Sequence, residues 1–263
     1  MFFDSHCHLD DPRLLPRLDT LIPEAEAAGI RGFLVPGIAP AGWPAILALP
    51  DTFPQIVPAF GVHPMHAQLL TPQAVSELRR LSRFAVAIGE VGLDYALPAP
   101  SRQVQQDAFR AQLALAVEAG LPVLIHCRKA FCDLLHIMQE AGVERCGGVM
   151  HAFSGSPEVA RACMRLGLHI SLAGSATYAN ARRPVEVALQ VPLERLLLET
   201  DAPDMAPEPH RGGVNLPSYL VDTARRVAGI KGVTLEELGR VTTSNATRLF
   251  RLEERHLQPK SLN

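Results

Sequence analysis

Short runs of apolar residues recur along the whole 263-residue chain, and a longer segment of mixed polarity separates each run from the next. Runs of this length, bounded by polar or turn-forming residues, are typical of buried β-strands. The pattern predicts eight strands, at residues 2–3, 32–35, 56–60, 85–88, 123–125, 148–150, 169–172 and 196–198.

The segments between these runs have the residue spacing of helices. In the clearest of them, residues 102–119, apolar side chains such as Phe109 and Leu113 recur every three or four positions. A glycine directly follows several segments, and glycine suits this position because it readily adopts the left-handed conformation that ends a helix. The pattern predicts helices at residues 14–28, 71–83, 102–119, 131–141 and 157–166, with Gly29, Gly120, Gly142 and Gly167 ending four of them.

Alternating strands and helices predict the topology of the sheet. Each connection crosses over a helix before the next strand begins, so neighbouring strands pair in parallel. Eight such units close a (β/α)8 TIM barrel, a fold that typically needs about 250 residues in one domain. A doubly wound open sheet is the alternative, although no Gly-rich dinucleotide fingerprint follows the first strand. We predict one α/β barrel domain over residues 1–263, with a weakly ordered tail from about Glu253.

One uncharged stretch could be mistaken for a membrane span. Residues 32–50 carry no charge, but they contain four prolines, which would break a spanning helix. A buried strand, a loop and a short helix explain this stretch better. The chain opens with MFFDSHCHLDD, where a secretory signal would carry basic residues. Five cysteines without a Cys-x-x-Cys pair argue against a disulfide framework, so we expect a cytoplasmic protein that does not bind membranes.

The charge balance limits the modes of nucleic-acid binding. The 25 Lys and Arg residues against 27 Asp and Glu residues give a formal net charge of −2. A chain of this composition has no broad basic surface for tight, nonspecific binding of duplexes. Bound metal ions can supply positive charge locally, so an enzyme acting on nucleic acid is still allowed.

Residues that can bind metal or move a proton follow six of the predicted strands. In a barrel, the carboxyl ends of the strands form one ring around a common mouth, where the active sites of such barrels lie. Residues more than a hundred positions apart can therefore meet there. The candidates, in chain order, are His6, His8, His63, Glu90, His126, His151 and Asp201.

The His6-Cys7-His8 motif has a spacing suited to metal binding. Alternate side chains of a strand share a face, so both imidazoles can bind one ion while Cys7 points the other way. The pair alone is also compatible with two hydrogen-bonded polar residues at a strand end. The further histidines and carboxylates at other strand ends favour the metal interpretation.

The whole candidate set indicates two ions. Four imidazoles and two carboxylates suit Zn²⁺, Mn²⁺, Ni²⁺ or Co²⁺ and tolerate Mg²⁺. Six ligands are too many for one catalytic ion, which must keep an open position. Glu90 can bridge two ions with its two oxygens, and Asp201 can bind one ion and accept the proton of the attacking water. The predicted metal ligands are His6, His8, Glu90, His126, His151 and Asp201.

Two further residues are candidates for contact with substrate. His63 follows the third strand and faces the same mouth, although it could equally cap the turn before Pro64. Arg128 lies two residues after His126, so strand alternation turns it to the same side. Its planar guanidinium fits a phosphate group, and the alternative for Arg128 is a buried ion pair.

Several of these residues lie in motifs that resemble the TatD family of metal-dependent deoxyribonucleases. The similarity runs from Phe3 to residues 245–250, with the motifs in the order of the family. That family belongs to the amidohydrolase superfamily, so the resemblance implies a barrel of the metallo-dependent hydrolase type. Other segments, VPGIAP, ATYANARR and ETDAPDMAP, resemble a branch described only as metal-dependent hydrolases. The family motifs are DSHCHLD, GVHP, AIGEVGLDY, LPVLIHCR, HAFSGS and LLLETDAPDM.

The resemblance also implies how the ligands divide and what the enzyme does. One metal would lie among His6, His8, Glu90 and Asp201, and the other among Glu90, His126 and His151. Family members are described as magnesium-dependent nucleases, including 3′–5′ exonucleases. We therefore expect a monomer that cleaves DNA phosphodiester bonds, in single strands or at strand ends, through a metal-bound hydroxide, with Asp201 and Glu90 as catalytic residues.

Two alternatives remain open at this point. The same site could hydrolyse another ester or an amide, such as a D-aminoacyl-tRNA ester. The barrel could also hold metal without catalysing a reaction.

Overall fold

The computed structural model describes residues 1–253. Within them, eight strands form one sheet in the order of the chain, and every neighbouring pair is parallel. The tail predicted to be weakly ordered lies almost wholly beyond Glu253, outside the described residues. The strands are β1 (Phe2–Asp4), β2 (Ile30–Pro36), β3 (Ile56–Phe60), β4 (Ala87–Asp94), β5 (Val123–Arg128), β6 (Gly148–Met150), β7 (Leu168–Leu172) and β8 (Leu196–Leu198).

Helices connect successive strands, and short 3-10 helices such as Pro64–Leu69 and Gly174–Thr177 lie in several loops. Residues 32–50 form most of β2, a loop and the start of α2, as the prolines in this stretch had indicated. No helix within residues 1–253 is both long and apolar enough to cross a membrane. The α-helices are α1 (Leu18–Ala27), α2 (Trp43–Thr52), α3 (Pro72–Leu81), α4 (Arg102–Ala119), α5 (Phe131–Ala141), α6 (Pro157–Arg165), α7 (Arg182–Gln190), α8 (Leu220–Lys231) and α9 (Leu235–Phe250).

The strand order confirms the predicted (β/α)8 barrel. A doubly wound open sheet would place its first strand in the middle of the sheet, with later strands on both sides of it. Here β1 lies beside β2 only, and the order rises without a reversal to β8. The open-sheet alternative is therefore excluded.

Several strands extend further than their apolar runs predict, and β4 and β5 do so at the ends that carry site residues. β4 was expected to stop at residue 88 and β5 at residue 125, but they continue to Asp94 and Arg128. Glu90 and His126 therefore lie within strands rather than after them. Gly92 of β4 is opposite His126, whereas the register shifts between Ile88 and Val91 and the Glu90 N–H donates to the carbonyl of Gly37 at 3.0 Å. The prediction failed because a polar side chain at the barrel mouth interrupts the hydrophobic pattern without interrupting backbone hydrogen bonding.

A compact apolar cluster fills the barrel below its mouth. It contains Phe3 of β1, Leu34 of β2 and residues from five other strands, and Phe250 of α9 packs against it. The rings of Phe3 and Phe250 have centroids 6.3 Å apart. Side chains that alternate along barrel strands fill the interior in this way, so the space for a ligand is left at the other end.

Hydrogen bonds at the strand ends close the barrel between β8 and β1. Ser5 donates its backbone N–H to the carbonyl of Leu198 at 3.1 Å. The buried carboxylate of Asp4 accepts from the backbone N–H of Thr200 at 3.0 Å and from the Thr200 hydroxyl at 2.6 Å. The first strand is therefore bound to the segment that leads to Asp201.

This closure predicts a loss of stability in the variant Thr200→Val. Valine has nearly the same shape but no hydroxyl, so the buried Asp4 carboxylate loses its shortest hydrogen bond. We expect the free energy of unfolding to fall by about 1–3 kcal/mol, measured by urea denaturation. Thr200→Ser keeps the hydroxyl and should lose much less. Equal stability of Thr200→Val and the unmodified chain would contradict this role of the bond.

Candidate metal centre

A cavity of about 600 Å³ opens at the carboxyl ends of the strands. Seven of the eight predicted site residues line it, and His6 lies fully buried beside them. The barrel thus brings together residues that are as far apart in the chain as His6 and Asp201. The seven lining residues are His8, His63, Glu90, His126, Arg128, His151 and Asp201.

One group of donor atoms surrounds the Oε2 atom of Glu90. His6 Nε2 lies 3.3 Å from this oxygen, and His8 Nε2 lies 3.7 Å from it. Asp201 Oδ1 lies 3.7 Å from the Nε2 atom of each histidine. Donor atoms bound to one ion at about 2.0–2.1 Å are roughly 3.0–3.4 Å apart. Small shifts would therefore let these four atoms bind a single ion.

A second group surrounds the other oxygen of Glu90. His151 Nε2 lies 2.9 Å from Oε1, and His126 Nδ1 lies 3.1 Å from it. The two histidine nitrogens are 3.3 Å apart. His63 Nε2 approaches the same oxygen at 3.5 Å. Glu90 therefore turns one oxygen towards each group, which is the arrangement that a bridging carboxylate requires.

Glycine in β4 allows the strands at this point to approach each other closely. Gly92 has a φ of +143°, and a Cβ atom built on it would lie 1.9 Å from the carbonyl oxygen of His126. Any other residue there would push β4 away from β5. The spacing between Glu90 and His126 thus depends on a residue that carries no side chain.

Two carboxylates orient the imidazoles of the second group from behind. Asp94 Oδ2 lies 3.3 Å from His126 Nε2, and Glu199 Oε1 lies 3.3 Å from His151 Nδ1. Glu199 is fully buried and also accepts from the backbone N–H of Ala152. Such contacts fix which nitrogen of a histidine faces a metal. The sequence analysis missed Glu199, although it is the first polar residue after β8.

Sequence reasoning also missed two buried glutamines of α4. Gln105 binds the backbone N–H of Asp94 at 2.8 Å and its carbonyl at 3.0 Å. Gln112 binds the backbone N–H and the carbonyl of Val62 at 2.7 Å and 3.1 Å. The two glutamines thereby fix the end of β4 at Asp94 and the loop that carries His63. Each glutamine is a polar residue on the buried face of the predicted helix 102–119, and that position could have identified both from the sequence.

His63 caps a turn and also faces the cavity. Its Nδ1 atom accepts the backbone N–H of Met65 at 3.1 Å, which caps the 3-10 helix that follows. Its Nε2 atom remains directed towards Glu90 and the cavity. The cap therefore fixes the ring without using the nitrogen that faces the site.

Arg128 lines the cavity with an exposed side chain. Among residues 1–253, its guanidinium makes no hydrogen bond or ion pair. The alternative of a buried ion pair is therefore wrong, because β5 carries Arg128 out to the rim of the barrel. A free guanidinium at the rim is available to an anionic ligand.

The ionisation of these groups fits a bound cation. Although burial opposes it, the imidazoles of His151, His63 and His6 hold the pKa of Glu90 well below its usual range. Burial lowers the pKa of His63 to about 3. Glu90 and Glu199 raise the pKa of His151 well above its usual range, although burial opposes this. A carboxylate among imidazoles is a donor set that suits divalent transition metals, and metal binding there would displace protons from the imidazoles. The residues present therefore fit a pair of divalent ions.

Comparison with known proteins agrees with this geometry. A sequence profile of the family described as TatD related DNase matches residues 3–251. The chain is 39% identical over 254 residues to the uncharacterized metal-dependent hydrolase YabD of Bacillus subtilis, covering 96% of this chain and 100% of that protein. It is 36% identical over 261 residues to the 3′-5′ ssDNA/RNA exonuclease TatD of Erwinia billingiae, covering 95% and 99%.

A solved structure has the same fold at comparable coverage. The crystal structure of YjjV, a TatD homologue from Escherichia coli K12, has a TM-score of 0.91 and 30% identity, over 96% of this chain and 98% of that one. The barrel and its relatives define a metal-dependent hydrolase. The chain belongs to the TatD family, as its motifs had indicated.

Because Glu90 lies between the two groups of donor atoms, the variant Glu90→Gln should bind less metal than the unmodified protein. A neutral amide cannot bridge two cations, so both ions should bind more weakly. We expect the metal bound after dialysis to fall from about two equivalents per chain to one or fewer, measured by inductively coupled plasma mass spectrometry. Glu77→Gln, at an exposed pair with Arg80 on α3, is the matched control. Unchanged metal content in Glu90→Gln would contradict the bridging role.

Proposed function

We propose that this protein is a two-metal deoxyribonuclease that hydrolyses phosphodiester bonds in the 3′–5′ direction. The observation that carries the proposal is the position of Glu90 between two groups of imidazoles, beside a cavity with an unpaired arginine at its rim. The family description and the name of the Erwinia billingiae relative support the choice of a nucleic-acid substrate.

His6, His8 and Asp201 would hold one ion, and His126 and His151 the other, with Glu90 shared between them. Divalent ions in such a pair lower the pKa of bound water and stabilise charge on the attacking and leaving oxygens of a phosphodiester. Mg²⁺ is our expectation for activity, and the imidazole-rich donor set also suits Zn²⁺, Mn²⁺, Ni²⁺ or Co²⁺.

Asp201 would act as the general base. Its carboxylate lines the cavity, and its Oδ1 atom faces His6 and His8, so it borders the position of an attacking water. The backbone N–H of Asp201 donates to the carbonyl of His6 at 2.9 Å, which fixes the base relative to β1. It would accept the proton of that water on a carboxylate oxygen.

The shape and charge of the cavity favour a strand end or a single strand. A volume of about 600 Å³ suits a small ligand or the terminal nucleotide of a strand, and is too small for a duplex. The formal net charge of −2 provides no extended basic track for a long duplex. Arg128 at the rim would hold the phosphate with a charge-assisted pair of hydrogen bonds.

One feature of the cavity favours a second candidate function, hydrolysis of a D-aminoacyl-tRNA ester. Asp10, Asp11 and Asp204 line the wall of the mouth. An acidic wall suits the ammonium group of an aminoacyl ester better than it suits a phosphate. The same donor atoms would serve either hydrolysis.

Activity of the variant Asp201→Asn tests the proposed base. The amide cannot accept the proton, so we expect the rate of cleavage of end-labelled single-stranded DNA to fall by about 10²–10⁴-fold. Each protein would be loaded with Mg²⁺, Mn²⁺ or Zn²⁺ and compared at equal metal content. Asp107→Asn, on the exposed face of α4, is the control.

Three outcomes would count against this proposal. Full activity of Asp201→Asn would show that another group is the base. Turnover of aminoacyl esters without cleavage of DNA would favour the second candidate function. Protein purified without chelator that contains no metal, and gains no activity from added metal, would favour a noncatalytic barrel.

The variant Arg128→Ala tests the phosphate contact. Loss of a charge-assisted hydrogen bond to the substrate should lower kcat/KM for DNA by about 10- to 100-fold. Turnover of a carboxylic ester, which has no phosphate, should fall much less. Arg226→Ala, on the exposed surface of α8, is the matched control. Equal losses on both substrates would assign Arg128 a structural role.

A further inference from the structure

A second concavity adjoins the mouth of the main cavity. It has a volume of about 400 Å³ and shares the residues Asp204 and Met205 with the main cavity. We call it the side groove, and it lies between the loops that follow β1, β7 and β8. The side groove is lined by Arg13, Tyr178, Pro203, Asp204, Met205, Ala206, Gly212, Gly213 and Val214.

Hydrogen bonds hold the walls of the side groove in place. The Tyr178 hydroxyl donates to the carbonyl of Ala206 at 3.1 Å. The side-chain amide of Asn215, which is fully buried, donates to the carbonyls of Asp204 and Thr200 at 2.8 Å each. The wall is therefore attached to the same segment that carries Asp201. A groove built in this way exists before a ligand arrives.

The side groove offers a stacking surface. The Arg211 guanidinium lies over the ring of Tyr178, 4.2 Å from its centroid, and Val214 adds an apolar side chain that is 46% exposed. A planar guanidinium on an aromatic ring is a surface on which nucleobases stack. Stacking of this kind needs no particular base, because every base has a π-face.

Both arginines at the side groove are paired with carboxylates, which favours an uncharged group over a phosphate. The Arg211 guanidinium pairs with Glu208 at 3.4 Å. Arg13 lies where the groove meets the main cavity, and it pairs with Asp11 at 2.9 Å and with Asp204 at 3.0 Å. One guanidinium between two carboxylates has no net positive charge to offer an anion. Arg128, by contrast, is unpaired among the described residues. A phosphate would therefore bind at Arg128, and a neutral base would occupy the side groove.

We propose that the side groove binds the nucleobase next to the scissile phosphate, stacked on Tyr178 and Arg211. This inference rests on the proposed nuclease function, and it names the part of the substrate that the site recognises besides the phosphate. A substrate held at both Arg128 and the side groove lies across the metal centre, because the two cavities share one wall. The groove thus selects nucleic acid over a small phosphodiester without selecting a sequence.

Binding measurements in which the protein and the probe are each altered, singly and together, test the stacking contact. The probe is a fluorescein-labelled thymidine tetramer with phosphorothioate linkages, bound to the metal-loaded protein and followed by fluorescence anisotropy. We expect Tyr178→Leu to raise the Kd about tenfold. A second probe carries an abasic residue beside the bond that is cleaved first. The unmodified protein should bind this second probe more weakly than the first, by a similar factor in Kd. On the second probe, Tyr178→Leu should cause no further increase in the Kd.

Two matched variants separate stacking from a role in holding the loop. Tyr178→Phe keeps the ring and loses only the hydrogen bond to Ala206, so its Kd should stay within about twofold of the unmodified protein. Tyr219→Leu removes a tyrosine that stacks on His210 at 3.5 Å, outside the side groove, and should also leave the Kd unchanged. A loss in Tyr178→Phe as large as that in Tyr178→Leu would overturn the stacking proposal.

The kinetic readout distinguishes failure of this inference from failure of the proposed function. For Tyr178→Leu, we expect the ratio of kcat/KM for the thymidine tetramer to that for bis(p-nitrophenyl) phosphate to fall about tenfold. If DNA is cleaved and the ratio is unchanged, the side groove proposal is wrong and the nuclease function stands. If the unmodified protein neither binds nor cleaves DNA, both proposals fail together.

Discussion

The carboxylate of Glu90 contacts five imidazoles contributed by four other segments of the barrel, and the geometry of the site depends on keeping it ionised there. It is almost fully buried, so its charge would be costly without those neighbours. One oxygen faces His6 and His8, while the other faces His63, His126 and His151. The carboxylate and the imidazoles around it form a donor set that suits divalent cations.

Much of the surrounding structure fixes the groups that meet at Glu90. Gly92 lets β4 and β5 approach closely. The hydrogen bonds between Asp4 and Thr200 join β1, which leads to His6, to the segment that carries Asp201. Gln105 of α4 holds the backbone beside Asp94. These contacts are made by backbone groups and buried polar side chains, so they are stiff. The site is therefore preorganised, as electrostatic catalysis requires.

The mouth divides its charges between two sides. Arg128 is exposed and unpaired among residues 1–253, whereas Arg13 is bound between Asp11 and Asp204. The phosphodiester of the proposed substrate would therefore meet an unpaired guanidinium at Arg128. The other side leads into the side groove, which Tyr178 lines, and the Arg211 guanidinium lies over the Tyr178 ring. The proposed nuclease function is compatible with a formal net charge of −2, because it needs positive charge only locally at the mouth.

The sequence by itself determined the barrel and most of the residues at its mouth. The spacing of apolar residues and the first polar residue after each apolar run can both be recognised within a short stretch of chain. It predicted eight strands and placed His6, Glu90 and Asp201 at one end of them. It could not locate the true ends of β4 and β5, because backbone pairing continues through polar residues when the neighbouring strand supplies the partners. Only the tertiary structure revealed Glu199 behind His151 and the side groove, because both depend on which loops of the closed barrel lie next to each other.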